Sequence, residues 1–125
     1  KLLYAIDELW DAGIMVVAAA GNNGPKENTV TIPGISRKVL TVGSSDDDTY
    51  DRGRKVLKTG YSGRGPTACC IVKPEILAPG TGITSCSKDK SGYQVKSGTS
   101  TGTHRLSQGR LPLHLRSIHH LLRQK

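Results

Sequence analysis

One run constrains the fold more than any other stretch of the chain: Ile14-Met15-Val16-Val17-Ala18-Ala19-Ala20. Consecutive apolar residues without alternation read as a strand buried on both faces, as in a parallel sheet covered by helices. The segment before it supports that reading. Lys1 to Ala12 has helical periodicity, with Leu2, Ile6 and Leu9 on one face, Leu3 and Trp10 beside them, and Asp7, Glu8 and Asp11 largely elsewhere. Gly13 supplies the stop. Gly21-Asn22-Asn23-Gly24-Pro25 then ends the strand in a polar loop. Open α/β folds place their sites at the carboxyl end of such a strand.

Asn22 lies at that end. Its side-chain amide can donate to an anion, and small neighbours leave room for a substrate. Taken locally, Asn22 and Asn23 more often only supply turn geometry. A second candidate is Ser97-Gly98-Thr99-Ser100, which follows the alternating segment Gly92-Tyr93-Gln94-Val95-Lys96. A serine on a tight turn after a strand holds its hydroxyl clear of the backbone. A helix starting there adds unpaired N–H groups and a positive dipole end. Both features suit a nucleophile whose attack creates an oxyanion. Taken singly, a Gly-Thr-Ser triplet is more often a turn.

Lys38-Val39-Leu40-Thr41-Val42-Gly43 reads as another short strand, and Ile83-Thr84-Ser85-Cys86 as a further one. Ser45-Asp46-Asp47-Asp48, with Asp51 nearby, reads as a solvated acidic loop, because the spacing is not that of an EF-hand. Cys69, Cys70 and Cys86 fit no zinc spacing, and adjacent Cys69 and Cys70 would point to opposite faces of a strand. With 35% hydrophobic residues and no Phe in 125 residues, the core supply is thin, and a piece of a larger domain is expected. The chain reads as entered mid-domain at Lys1-Leu2-Leu3, and no apolar run reaches membrane-spanning length. The net charge of +8 is uneven. Residues 104–125 hold five Lys or Arg, all four His and no acid, which leaves 13 basic and 10 acidic side chains, +3, for residues 1–103.

Several landmarks stand in order: Val16-Val17-Ala18-Ala19-Ala20-Gly21-Asn22, Ile32-Pro33-Gly34, Val39-Leu40-Thr41-Val42-Gly43, Tyr61-Ser62-Gly63-Arg64-Gly65-Pro66, Lys73-Pro74-Glu75-Ile76-Leu77-Ala78-Pro79-Gly80 and Ser97-Gly98-Thr99-Ser100. In this order and separation they resemble the C-terminal half of a subtilisin-like serine protease (subtilase) catalytic domain, over residues 1–100. The resemblance implies an α/β fold, a mostly parallel sheet flanked by helices, with the N-terminal half missing. It implies serine-type endopeptidase chemistry on a polypeptide substrate. Ser100 matches the nucleophile, at the start of a buried helix. Asn22 matches the oxyanion-hole asparagine, acting with the nucleophile's own backbone N–H. Ala19, Ala20 and Gly21 match a wall of the primary specificity pocket. No cofactor and no metal are expected, and the family is commonly secreted.

Two departures qualify those expectations. The family's catalytic Asp and His precede the oxyanion asparagine, and this chain is expected to lack both. It has no His-Gly-Thr motif, and its first His is His104. Without an imidazole, Ser100 keeps an ordinary hydroxyl. A subtilisin loses roughly 10⁶-fold in turnover when its His alone is removed, so the chain as given is expected to be inactive. Second, the family continues Met-Ala-x-Pro after the nucleophile, where this chain reads Thr101-Gly102-Thr103-His104-Arg105. Gly102 is a poor helix residue, Pro112 interrupts the next stretch, and Arg105, Arg110 and Arg116 would be costly in a core.

The expected organisation is therefore a partial subtilase domain over residues 1–103 and a basic tail over 104–125 that is out of frame. Codons for Gly102-Thr103-His104-Arg105-Leu106-Ser107, read one base later, can spell Ala-Pro-Thr/Ile-Val-Ser, close to the family's continuation. The rival reading is a non-catalytic remnant. Its tail, through Arg105, Arg110, Arg116, Arg123 and Lys125, would bind anionic membrane or nucleic acid, and Leu111, Leu115, Ile118, Leu121 and Leu122 allow a short amphipathic helix. The tail has no aromatic residue for base stacking, so nucleic acid is not the expected partner.

Overall fold

The computed structural model describes residues 1–45, 60–88 and 92–108. The acidic run at Asp46, Asp47, Asp48 and Asp51, the basic stretch at 52–58, the middle of the loop at 88–92 and the tail beyond 108 lie outside the described residues. The elements are α1 (Leu2–Asp11), β1 (Val16–Ala19), β2 (Val39–Ser44), β3 (Ile76–Ala78), β4 (Ile83–Cys86), β5 (Tyr93–Lys96) and α2 (Thr99–Ser107).

Strands β1, β2 and β3 form a parallel sheet in that order. Val17 pairs with Leu40 and Ala19 with Val42; Ser44 pairs with Ala78. Strands β4 and β5 form a separate antiparallel pair, in which Ile83 faces Lys96. Helix α1 packs against β1, and α2 lies across all three parallel strands. The expected α/β architecture with helices on a parallel sheet is what the chain adopts.

Three details differ from the sequence reading. The strand buried throughout is β2, not β1: every residue from Val39 to Ser44 is buried, whereas β1 is half-buried and Ile14 is exposed. Position in the sheet explains this, since β2 is central and β1 lies at the edge among the described residues. On α1, only Ile6 and Trp10 are buried, while Leu2 and Leu9 are exposed. The helix thus buries only that i, i+4 pair, and Lys38 adds surface ion pairs to Asp7 and Asp11 at 3.3 and 3.5 Å. Finally, α2 runs on to Ser107, so the boundary expected at 103/104 falls inside a helix. Gly102 is accommodated because it faces the sheet, where a Cβ would stand 3.1 Å from the Ala78 carbonyl oxygen. Arg105 is half-buried rather than in the core, and Leu106 fills that place. Leu106 joins Leu40, Val42 and Ala78 in the central cluster.

Candidate active site

The carboxyl ends of the three parallel strands lead directly into the residues singled out above. β1 continues through buried Ala20 to Gly21 and Asn22, β2 ends at Ser44, and β3 leads through Pro79 to Gly80. Around them, loops approach so closely that only glycine fits. Gly21 has φ of 92°, and a Cβ there would lie 2.5 Å from Thr31 Oγ1. At Gly80, a Cβ would lie 2.7 Å from the Gly98 carbonyl oxygen and 3.0 Å from Ser44 Oγ. That absence lets the Gly98 N–H donate to the Gly80 carbonyl at 2.9 Å, which seats the start of α2 against the end of β3.

Hydroxyls complete the frame. Ser62 Oγ accepts the Ser44 N–H at 3.0 Å, satisfying the last donor of β2. The Tyr61 hydroxyl donates to Ser44 Oγ at 2.9 Å and shares a hydrogen bond with Thr81 Oγ1 at 2.8 Å. Gly63 N–H donates to the Gly21 carbonyl at 2.7 Å, so the 61–65 segment braces the loop that carries Asn22.

Asn22 and Ser100 are brought together through Thr99. Thr99 N–H and Thr99 Oγ1 both donate to Asn22 Oδ1 at 3.0 Å, and Thr99 Oγ1 accepts the Gly21 N–H at 3.2 Å. Asn22 thus does for α2 what an N-cap side chain does, from 77 residues away. The N-cap residue itself, Gly98, has no side chain to do it. With the carbonyl oxygen of the amide committed to Thr99, the Asn22 Nδ2–H groups are the end left to donate elsewhere. Ser100 follows at the second helical position and is exposed. Its N–H belongs to the first turn, which has no intrahelical acceptor, and the helix dipole is positive there.

The local arrangement can therefore present an exposed hydroxyl, a backbone N–H and an amide N–H at one helix start. Ala19 and Gly21 are half-exposed beside it, while Ala20 is fully buried and accepts the Thr31 N–H at 3.0 Å. The loop carrying Ile32-Pro33-Gly34 crosses here too, since the Thr41 hydroxyl donates to the Gly34 carbonyl at 2.6 Å. Thr99, which ties Asn22 to the start of α2, is a residue that the sequence did not single out. Its only signal was its place within the Gly-Thr-Ser triplet.

Among the described residues, no hydrogen bond joins the Ser100 hydroxyl to a carboxylate or an imidazole. The bare pattern Asp-x-Gly does occur ahead of Asn22, at Asp11-Ala12-Gly13, but Asp11 ends α1 and pairs with Lys38. His104 is exposed and bonded to the Gln108 side chain at 2.8 Å. No group of three or more His, Cys, Asp or Glu among the described residues could hold a metal ion, and no described helix is long and apolar enough to cross a membrane.

The chain is similar to known proteins over most of its length. The family model described as "Subtilase family" matches residues 2–108. Serine protease AprX of Bacillus subtilis is 41% identical over 115 residues, covering 82% of this chain and 26% of AprX. Pyrolysin of Pyrococcus furiosus is 34% identical over 125 residues, covering 82% of this chain and 9% of pyrolysin. Among solved structures, the S41 psychrophilic protease superposes with a TM-score of 0.64 at 30% identity, over 84% of this chain and 35% of that one. Sphericase gives the same TM-score at 27% identity, over 84% of this chain and 35% of its own. The chain thus spans only about a quarter of AprX and about a third of the solved neighbours. From the matched family and the strand-end geometry together, the chain belongs to the subtilase family.

Proposed function

We propose that this chain carries the nucleophile and oxyanion-binding part of a serine endopeptidase site. Ser100 Oγ attacks the scissile carbonyl of a polypeptide. The developing oxyanion is held by Asn22 Nδ2–H and the Ser100 N–H. Ala19, Ala20 and Gly21 line one wall of the primary specificity pocket, chiefly through backbone. The observation that carries this reading is the Thr99 link: it consumes Asn22 Oδ1 and leaves the donor end of the amide beside the start of α2. Electrostatic stabilisation of this kind needs donors fixed before the charge appears, and a tethered amide meets that need.

Hydrolysis also needs a base to take the Ser100 proton. Among the described residues none is in place for it, so on this reading the chain by itself does not turn over peptides. The basic tail over residues 104–125 reads as an out-of-frame continuation even though its first residues extend α2, and the coding DNA tests that directly: absence of an open Ala-Pro-like continuation in the shifted frame would end the idea.

Two assays test the functional reading. The purified 125-residue chain and its Ser100→Ala variant should hydrolyse a peptide amide equally slowly, at the buffer rate. A chimera in which residues 1–100 replace the matching stretch of AprX should cleave the same substrate and lose that activity on Ser100→Ala. Ser100-dependent turnover by the chain alone would overturn the incomplete-site reading. A chimera indifferent to Ser100→Ala would overturn the assignment of the nucleophile.

A further inference from the structure

The segment from Thr67 to Ile71 is a tight hairpin turn, not a strand. Thr67 N–H donates to the Ile71 carbonyl at 2.9 Å, Cys70 N–H to the Thr67 carbonyl at 2.8 Å, and Ile71 N–H to Thr67 Oγ1 at 3.2 Å. Cys70 closes the loop with φ of 56°. That is the left-handed position of a three-residue hairpin loop, where glycine is the usual occupant. Cys69 and Cys70 are both free and exposed. The turn therefore holds two adjacent thiols at one surface tip, in place of the opposite faces that a strand would give them. Their Cα atoms are ~3.8 Å apart by covalent geometry.

A cavity of about 250 Å³ opens beside this tip. Cys69, Ala68, Ile71, Val30 and Ile35 line it together with the polar Asn28 and Thr67, so its walls are largely apolar, and Cys70 stands at the tip outside the lining. We propose that Cys69 and Cys70 form a dithiol site for a soft trivalent centre, an organoarsenical of the R–As=O class, with the apolar R group seated in this cavity. The reaction balances without an oxidant or reductant. Two As–S bonds replace the As=O bond, both thiol protons and the oxygen leave as one water, and arsenic stays trivalent. Once one sulfur has bonded, the second closes a ring, so a neighbouring pair gains the effective-concentration advantage that a single thiol lacks. Cys86 lies on β4, outside this turn and without an adjacent cysteine in the chain, and is the built-in single-thiol control.

The test is a titration of the reduced 125-residue chain with phenylarsine oxide in excess 2-mercaptoethanol, read by intact mass and free-thiol count. We expect one adduct per chain, two thiols consumed and Cys86 still titratable. Cys69→Ser and Cys70→Ser should each weaken binding by about 10²-fold or more, while Cys86→Ser should leave it unchanged. The folded chain should also hold phenylarsine oxide more tightly than the same chain in urea, and more tightly than it holds methylarsine oxide. An adduct that survives either single variant, or that consumes Cys86, would overturn the dithiol site. Equal affinity in urea, or for the methyl compound, would overturn the part played by the turn and the cavity.

Discussion

At its carboxyl end the parallel sheet is closed by glycines and hydroxyls; at its amino end it is closed by a buried ion pair. Lys73 Nζ donates to the Val39 carbonyl at 2.8 Å and lies 2.6 Å from Glu75 Oε1, with its side chain fully buried. Glu75 Oε2 accepts the Thr41 N–H at 2.9 Å, and the Glu75 N–H donates to the Thr41 carbonyl at 3.1 Å. A charged pair thereby supplies the hydrogen bonds that a longer β3 would have made to β2. Every polar atom named at this end is consumed by structure. At the carboxyl end the same task falls to neutral groups at close approach, and one amide end is left over. The difference teaches where chemistry can be housed: an end saturated by a buried charge pair has nothing to offer a substrate, whereas a backbone-built end can hold a donor in place without using it up.

Breaking the amino end should have the largest effect. Lys73→Met leaves the Glu75 carboxylate in a mostly buried site without its partner, and should cost about 3–5 kcal/mol in urea denaturation. The double variant Lys73→Met/Glu75→Leu should recover most of that loss, since apolar replacement of a buried pair is commonly close to neutral. If the single variant is as stable as the wild type, the pair is not what closes this end.

At the opposite end the corresponding substitution is Gly80→Ala. Its methyl group would meet the Gly98 carbonyl at 2.7 Å, so the start of α2 must shift. The expected cost is ~1–3 kcal/mol, that of an overpacked contact, again read by denaturation. An unchanged midpoint would show that α2 is not seated through this glycine contact.

Away from both ends, Cys70→Gly should stabilise the chain by about 1 kcal/mol, because it removes a non-glycine residue from a positive φ. The smallest effect belongs to Lys38 on the surface. Loss of hydration works to lower its pKa, but the hydrogen bond and charge of Asp7 and the charge of Asp11 outweigh it and hold the ammonium above the ordinary lysine value. A raised folded pKa stabilises below the unfolded value and loses that contribution as pH rises through the folded one. Stability should therefore fall slightly as pH rises past the usual lysine range, about 10.4, and Lys38→Met should flatten that slope in pH-dependent thermal melts.

What is legible in the sequence, and what is not, divides along the same line. Asn22, Gly80 and the Gly-Thr-Ser triplet are legible only as landmarks in order and separation, because each taken singly suits a plain turn. The role of Thr99 is not, because its partners Gly21 and Asn22 lie more than 70 residues away and no periodicity reports such a contact. β2 reads as only a short strand because Thr41, Gly43 and Ser44 dilute its hydrophobicity. Their burial is made possible by Gly34, Ser62 and Pro74, which come from other segments. The Lys73–Glu75 pair is hidden for the same reason: a Lys-Pro-Glu triplet looks solvated until Val39 and Thr41 are placed around it. Propensity alone counts against a helix at Gly102, and packing of α2 against Ala78 reverses that judgement.

The most direct test of the site is the kcat for peptide-amide hydrolysis by the AprX chimera carrying residues 1–100, compared with the same chimera bearing Asn22→Leu. Loss of the amide donor should lower kcat by about 10²–10³, the value known for the equivalent donor in a subtilisin, with KM little changed. An unchanged kcat would mean that Asn22 serves only to cap α2, and that the donor end left open by Thr99 does not meet the transition state.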